Sequence, residues 1–238
     1  MVSSLARLAA LILFLAAGPA RADDLADFNA AVEAAAAHNR VAIGYLRTGN
    51  TDLAGLELDR LREAWARVGE RKRPDVFKDT KTYVVAMTDI AMRLITADMM
   101  LNSGRPDAAR QALIAVRDDF YNLRKSAGLA VLADCVRDAN EAMDAFMVYN
   151  DRTLDWSKPA IRYDIAAKAS IYGYAVARCD GMASEAVRKD AEFRRLVDGI
   201  KASLTFVPKA TATRDTGLLH RILIELRAFD NLLAFRFG

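Results

Sequence analysis

The chain is short of the residues on which most active-site chemistry depends. It has two histidines, His38 and His220, and two cysteines, Cys135 and Cys179, among 238 residues. So few imidazoles narrow the scope for acid–base work near neutral pH and for transition-metal binding. No H-E-x-x-H, G-x-S-x-G, D-x-D-x-D-G or phosphate-cradling glycine loop occurs. The usual metalloprotease, hydrolase, calcium and nucleotide signatures are therefore missing. These absences point to a protein that is not an enzyme.

Proline and glycine are scarce, at five and twelve residues. Alanine is plentiful, and that bias favours helix, because alanine has the best intrinsic helix propensity and glycine and proline the worst. Period-two alternation is nearly absent, which argues against sheet.

Excess charge of one sign is missing as well. Residues 1–22 carry Arg7 and Arg21 and no acids, so residues 23–238 keep 32 of the 34 basic side chains against 31 acidic ones, a net of +1. Nucleic-acid and polybasic membrane binding need clustered positive charge. Arg71-Lys72-Arg73 is the one tight basic cluster, and beside Pro74 it reads as a solvated loop between helices.

Long apolar runs are confined to the N-terminus. Arg7, the apolar stretch Leu8–Ala17 and Ala20-Arg21-Ala22 have the order of a secretory signal peptide with an A-x-A cleavage site. The stretch falls short of the roughly 20 apolar residues that a spanning helix needs. The expectation is cleavage after Ala22, export to a periplasm, and a mature chain starting at Asp23, with an uncleaved anchor as the alternative. No cysteine near the junction offers a site for lipid attachment. No later segment is apolar enough to cross a membrane.

Apolar spacing of three and four fills the rest. It predicts an all-α, up-and-down antiparallel bundle of about eight helices, at 25–48, 51–68, 80–102, 106–125, after Gly128 to 149, 159 to about 180, 184–204 and 213–235. Leu53, Leu56, Leu61, Trp65 and Val68 are the expected inward stripe of the second helix. From Leu218 to Phe235 the last helix is apolar over much of its circumference, as in a centrally placed helix, so Glu225, Arg227 and Asp230 must pair or reach water. Residues 23–238 read as one helical domain, with packed sub-bundles 23–150 and 158–238 as the variant.

The sequence repeats itself at an offset of 55 residues, Gly49 matching Gly104, Asp52 Asp107, Ala54 Ala109, Leu58 Leu113, Leu61 Val116 and Trp65 Phe120. One helical hairpin is used twice, with glycine at the turn and aspartate at the positive end of the next helix. Tetratricopeptide arrays repeat about every 34 residues, so this is not such an array.

An even cysteine pair in an oxidising compartment most simply forms a disulfide, here Cys135 with Cys179. The alternatives are two buried thiols or a metal or redox role. Asp134, Asp138 and Glu141 share one face of the fifth helix and read as solvated surface partnered by Arg137.

Two soft-ligand readings remain. Met92 and Met99, Met143 and Met147, with His38 and His220, are candidate ligands for copper, since thioethers select Cu(I); packing in the core is the competing role. The hairpin Gly104-Arg105-Pro106-Asp107-Ala108-Ala109 resembles those of cytochrome c-prime bundles, a generic similarity over residues 25–126. That family's C-x-x-C-H motif is absent, which excludes thioether-linked haem by that route and leaves non-covalent haem with His and Met ligands. The leading expectation is an exported bundle that binds a partner protein or small ligand, and the alternative is a periplasmic copper or haem binder.

Overall fold

The computed structural model describes residues 19–150 and 153–238. Arg7 and the Leu8–Ala17 stretch lie outside them. The described residues form ten helices and no strand, and the fold is an all-α antiparallel bundle. The chain divides into two compact units, up to Gly128 and from Leu129 onward, each with its own apolar core.

Unit one holds α1 (Pro19–Arg47), α2 (Thr51–Gly69), α3 (Thr80–Asn102) and α4 (Pro106–Ser126). Each hairpin turn closes in the same way. Gly49 and Gly104 take φ +77° and +71°, a region open to glycine at little cost. The next amide then reaches back to Tyr45 O and Met100 O respectively, both at 2.9 Å. The two hairpins close a four-helix ring, with α1 against α2 and α4, and α3 against α4 and α2. Repeat-equivalent pairs Ala54/Ala109, Leu58/Leu113, Leu61/Val116 and Trp65/Phe120 are all buried. The Trp65 and Phe120 rings meet at 5.3 Å between centroids.

The inward stripe of α2 departs from expectation. Leu53 and Leu56 are exposed, and the buried set is Ala54, Leu58, Leu61, Trp65 and Val68. This set keeps an unbroken 4-3-4-3 spacing, the geometry of one helix face, whereas Leu53 and Leu56 fall off it. The loop after α2 is anchored by Phe77, whose ring packs on Phe28 at 5.4 Å and on Tyr83 at 5.0 Å.

Unit two holds α5 (Leu132–Met147), α6 (Pro159–Met182), α7 (Glu185–Lys189), α8 (Ala191–Leu204), α9 (Val207–Thr213) and α10 (Thr216–Phe237). A second ring forms from α5, α6, α8 and α10. The single helix expected over 184–204 is two. Asp190, extended at φ −63° and ψ 125°, ends α7 and caps α8 by accepting from the Phe193 amide at 2.8 Å. Pro208 opens the extra helix α9, where its missing N–H does no harm.

Cys135 and Cys179 stand at disulfide distance, with Cα atoms 5.4 Å apart, and link α5 to the end of α6. That link and Trp156 tie the intervening linker down, Trp156 Nε1 donating to Thr216 Oγ1 at 2.8 Å. Rather than lying centrally, α10 is one wall of the ring. Leu219, Leu223, Leu226 and Leu233 face the core and Ile224 faces out.

Candidate functional site

The candidate ligands are divided between the units. His38 sits on α1, where its Nδ1 lies 2.7 Å from Glu57 Oε2 on α2. The other oxygen of Glu57 accepts from Arg60 at 2.5 Å. His38 is thus engaged as an interhelix contact. Met92 and Met99 are exposed on α3. They share a face but stand two turns apart, about 10 Å along the axis, too far for one ion to bind both sulfurs.

Unit two holds His220, Met143 and Met147. Met143 is fully buried and Met147 partly so, both packed with the core. Asn140 donates to Asp230 at 2.7 Å and Arg227 to Asp144 at 2.5 Å, which fixes α10 antiparallel to α5. That register sets His220 level with the end of α5, just past Met147. Among the described residues, no group of three His, Cys, Asp or Glu side chains gathers to hold a metal.

The carboxylate stripe of α5 departs in part from a solvated surface, because Asp134 is buried, while Arg137 does partner Asp138 and Glu141. Asp134 accepts the Val131 amide at 3.1 Å, so it closes the first turn of the helix. Asp138 pairs with Arg178, and Glu141 takes Arg137 at 2.6 Å.

Asp230 is the most perturbed acid. It is buried among α5, α6 and α10 and accepts from Asn140, from Tyr172 Oη at 3.3 Å and from Arg227 at 3.3 Å. Burial pushes its carboxyl up to about 6, against the pull of the Asn140 hydrogen bond and the Arg227 charge. The same burial, with the Asp230 charge beside it, raises the Tyr172 phenol. The donors come one each from α5, α6 and α10, so the network joins these three helices.

Each unit bears an open groove among its described residues. In unit one, a groove of about 520 Å³ runs between the N-terminal half of α3 and the C-terminal half of α4, lined by Asp79, Lys81, Val85, Asp89, Asp119 and Asn122 among others. Asp79 caps α3, accepting from the Lys81 amide at 2.9 Å and the Thr82 hydroxyl at 2.6 Å. The Thr82 hydroxyl and amide hold its carboxyl below the usual range. Burial holds the Asp119 carboxyl above that range; Arg93, 2.5 Å away, opposes this, and the charges of Asp89 and Asp118 add to it.

The groove leads onto an apolar stripe. Ile90, Leu94 and Ala97 turn α3 toward the core, yet Val85 (49 % exposed), Met92 (56 %), Ile95 (45 %) and Met99 (61 %) line its outer side. With Thr88 they follow 3-4-3-4 spacing, the spacing of a helix–helix seam. Sequence reasoning missed this stripe. Its signal was an α3 apolar on both faces, which a helix covered on one side does not need.

In unit two, a groove of about 390 Å³ lies between α6 and α9, lined by small and apolar residues including Ala166, Gly173, Leu204 and Pro208. Tyr163, Ile171, Tyr174 and Phe206 are exposed on the elements that border it.

These features define a class, an all-α protein whose described residues form two helical units, each built on a ring of four helices, with apolar side chains exposed on outer helix faces. No family model, curated protein or solved structure matches the chain.

Proposed function

We propose that this chain is an exported, non-enzymatic helical protein that works in a periplasm by binding a partner protein through the outer face of α3. The observation that carries the reading is the exposed stripe of Val85, Met92, Ile95 and Met99. Leaving such a stripe in water forgoes about 25 cal/mol for each Å² of apolar surface that a partner would cover. Exposed apolar side chains that share one helix face, unlike ones scattered singly, support a reading as an interaction site.

Export rests on the leader pattern of residues 1–22 and on a cysteine pair suited to an oxidising compartment. Cleavage after Ala22 would leave Asp24 in the first turn of the shortened α1, where a carboxylate complements the helix dipole. Fractionation of the source cells with N-terminal sequencing tests this part. The expected result is a periplasmic chain beginning at Asp23, and an intact leader on a cytoplasmic chain would refute it.

Binding is tested by placing a photo-crosslinking amino acid at Met92 and irradiating the cells. A discrete protein adduct that is lost when the probe moves to exposed Glu63 on α2 supports the reading. Equal, diffuse labelling from both positions would overturn it.

A further inference from the structure

The methionines differ sharply in their access to solvent. Met143 is fully buried in unit two, and Met87 and Met100 pack against the core of unit one. Met92 and Met99, on the same helix as Met87 and Met100, belong to neither core and stand exposed on its outer face. Met182 is exposed too, at the end of α6. Met92 and Met99 share one side of α3, with Ile95 between them at i+3 from Met92 and i−4 from Met99. Two thioethers thus flank an apolar residue of the stripe.

A thioether sulfur in water presents an accessible lone pair. That pair attacks an oxygen of hydrogen peroxide, so an S–O bond forms and the O–O bond breaks. The departing hydroxide takes the proton of the transferred hydroxyl and leaves as water. Sulfur loses two electrons and the peroxide gains them, and the product is a methionine sulfoxide, polar where the thioether was apolar. Two sulfoxide oxygens beside Ile95 would face any apolar surface seated there, and an acceptor buried without a donor costs free energy. Neither side chain supports the core, so α3 itself does not depend on them. Covered by a partner, both sulfurs are shielded, and the free chain is the form that oxidises.

We propose that Met92 and Met99 form an oxidation site for peroxides, and that their conversion to sulfoxides closes the α3 face to its partner. A reductase that draws on a dithiol reopens it, the dithiol becoming a disulfide and the oxygen leaving as water. The closing of the face rests on the reading above of α3 as a docking surface; the oxidation does not.

The processed full-length chain is treated with hydrogen peroxide and its methionines are followed by peptide mass spectrometry. Met92 and Met99 are expected to gain oxygen at least about tenfold faster than Met143, and in denaturant the rates should converge. Rates no greater than that of Met143 in the folded chain would overturn the site. Circular dichroism melts before and after oxidation of the two residues should superimpose, and a loss of helix would replace the closed face with an unfolded one.

Closure is read by photo-crosslinking in extract of the source periplasm, with the probe at exposed Thr88 on the stripe. Oxidation should lower the adduct about tenfold or more, and sulfoxide reductases for both epimers should restore it. Met92→Leu with Met99→Leu, apolar, helix-forming and inert to peroxide, should give the adduct before and after treatment alike. This variant keeps Met182, so a loss of its adduct on oxidation would place the effect elsewhere and overturn the switch. An adduct that survives oxidation of the parent would overturn it as well. No adduct from the untreated parent would instead refute the docking reading, and the switch with it, while the mass spectra still judge the oxidation site.

Discussion

At the scale of single residues, buried polar groups show where the core is under electrostatic load. Asp230 has a folded-state carboxyl raised to about 6 from 3.8, chiefly by burial. The protonated acid therefore favours the fold below pH 4, and that contribution fades as pH rises through about 6. The full difference is on the order of 3 kcal/mol, taken from the shift at 1.36 kcal/mol per unit. Asp230→Asn, neutral at every pH, should flatten the stability slope between pH 4 and 6 in urea titrations. An unchanged slope would remove Asp230 from the account. Asn39 makes a second case. It is buried, donates to Leu113 O at 3.1 Å, and its Oδ1 has no hydrogen-bond partner among the described residues. Leu94 occupies the matching place in the second hairpin and is buried as well. Asn39→Leu should thus be neutral or stabilise by about 1 kcal/mol, since an unsatisfied buried acceptor is removed with its donor. Thermal melts that fall by several degrees would contradict this.

At the scale of elements, turns and links carry the architecture. Gly49 and Gly104 hold positive φ with open space around the missing Cβ, so alanine at either costs backbone strain alone. Gly49→Ala and Gly104→Ala should each destabilise by about 1 kcal/mol, and by similar amounts, because the two turns are copies. Unequal costs in chemical denaturation would count against their equivalence. The Cys135–Cys179 link spans a sequence separation of 44. The chain-entropy model gives it at most about 4 kcal/mol, so Cys135→Ser with Cys179→Ser should lower the melting temperature of unit two markedly. Much at this scale was legible in the sequence. The bounds of α3 agree with the spacing, and Pro106 and Pro159 open α4 and α6. The capping Asp190, which splits one expected helix into α7 and α8, was not read, because a lone aspartate inside an apolar period looks like surface until its side chain is seen on the Phe193 amide.

At the scale of the whole molecule, two units each enclose a separate core. Fragments 23–128 and 129–238, made separately, should both show helical spectra and cooperative melts; a fragment that stays unfolded would mean that its core is incomplete alone. The division at Gly128 falls before α5, so the cysteine link lies wholly within unit two. It also separates His38, Met92 and Met99 from His220, Met143 and Met147, a separation that no linear spacing could reveal.

The sequence by itself determined the helical class, the turns and the doubled hairpin, because these arise from backbone sterics and periodicity over a few neighbouring residues; that Cys135 and Cys179 stand at disulfide distance was decided by the tertiary structure. Only the tertiary structure decided which face of α3 is covered, why Leu53 and Leu56 lie outside, and that α10 is a wall of its ring. Those outcomes depend on which distant helices arrive as neighbours. A helix apolar on two sides is ambiguous until one side is buried, and the side left over, Val85 to Met99, is where binding is proposed.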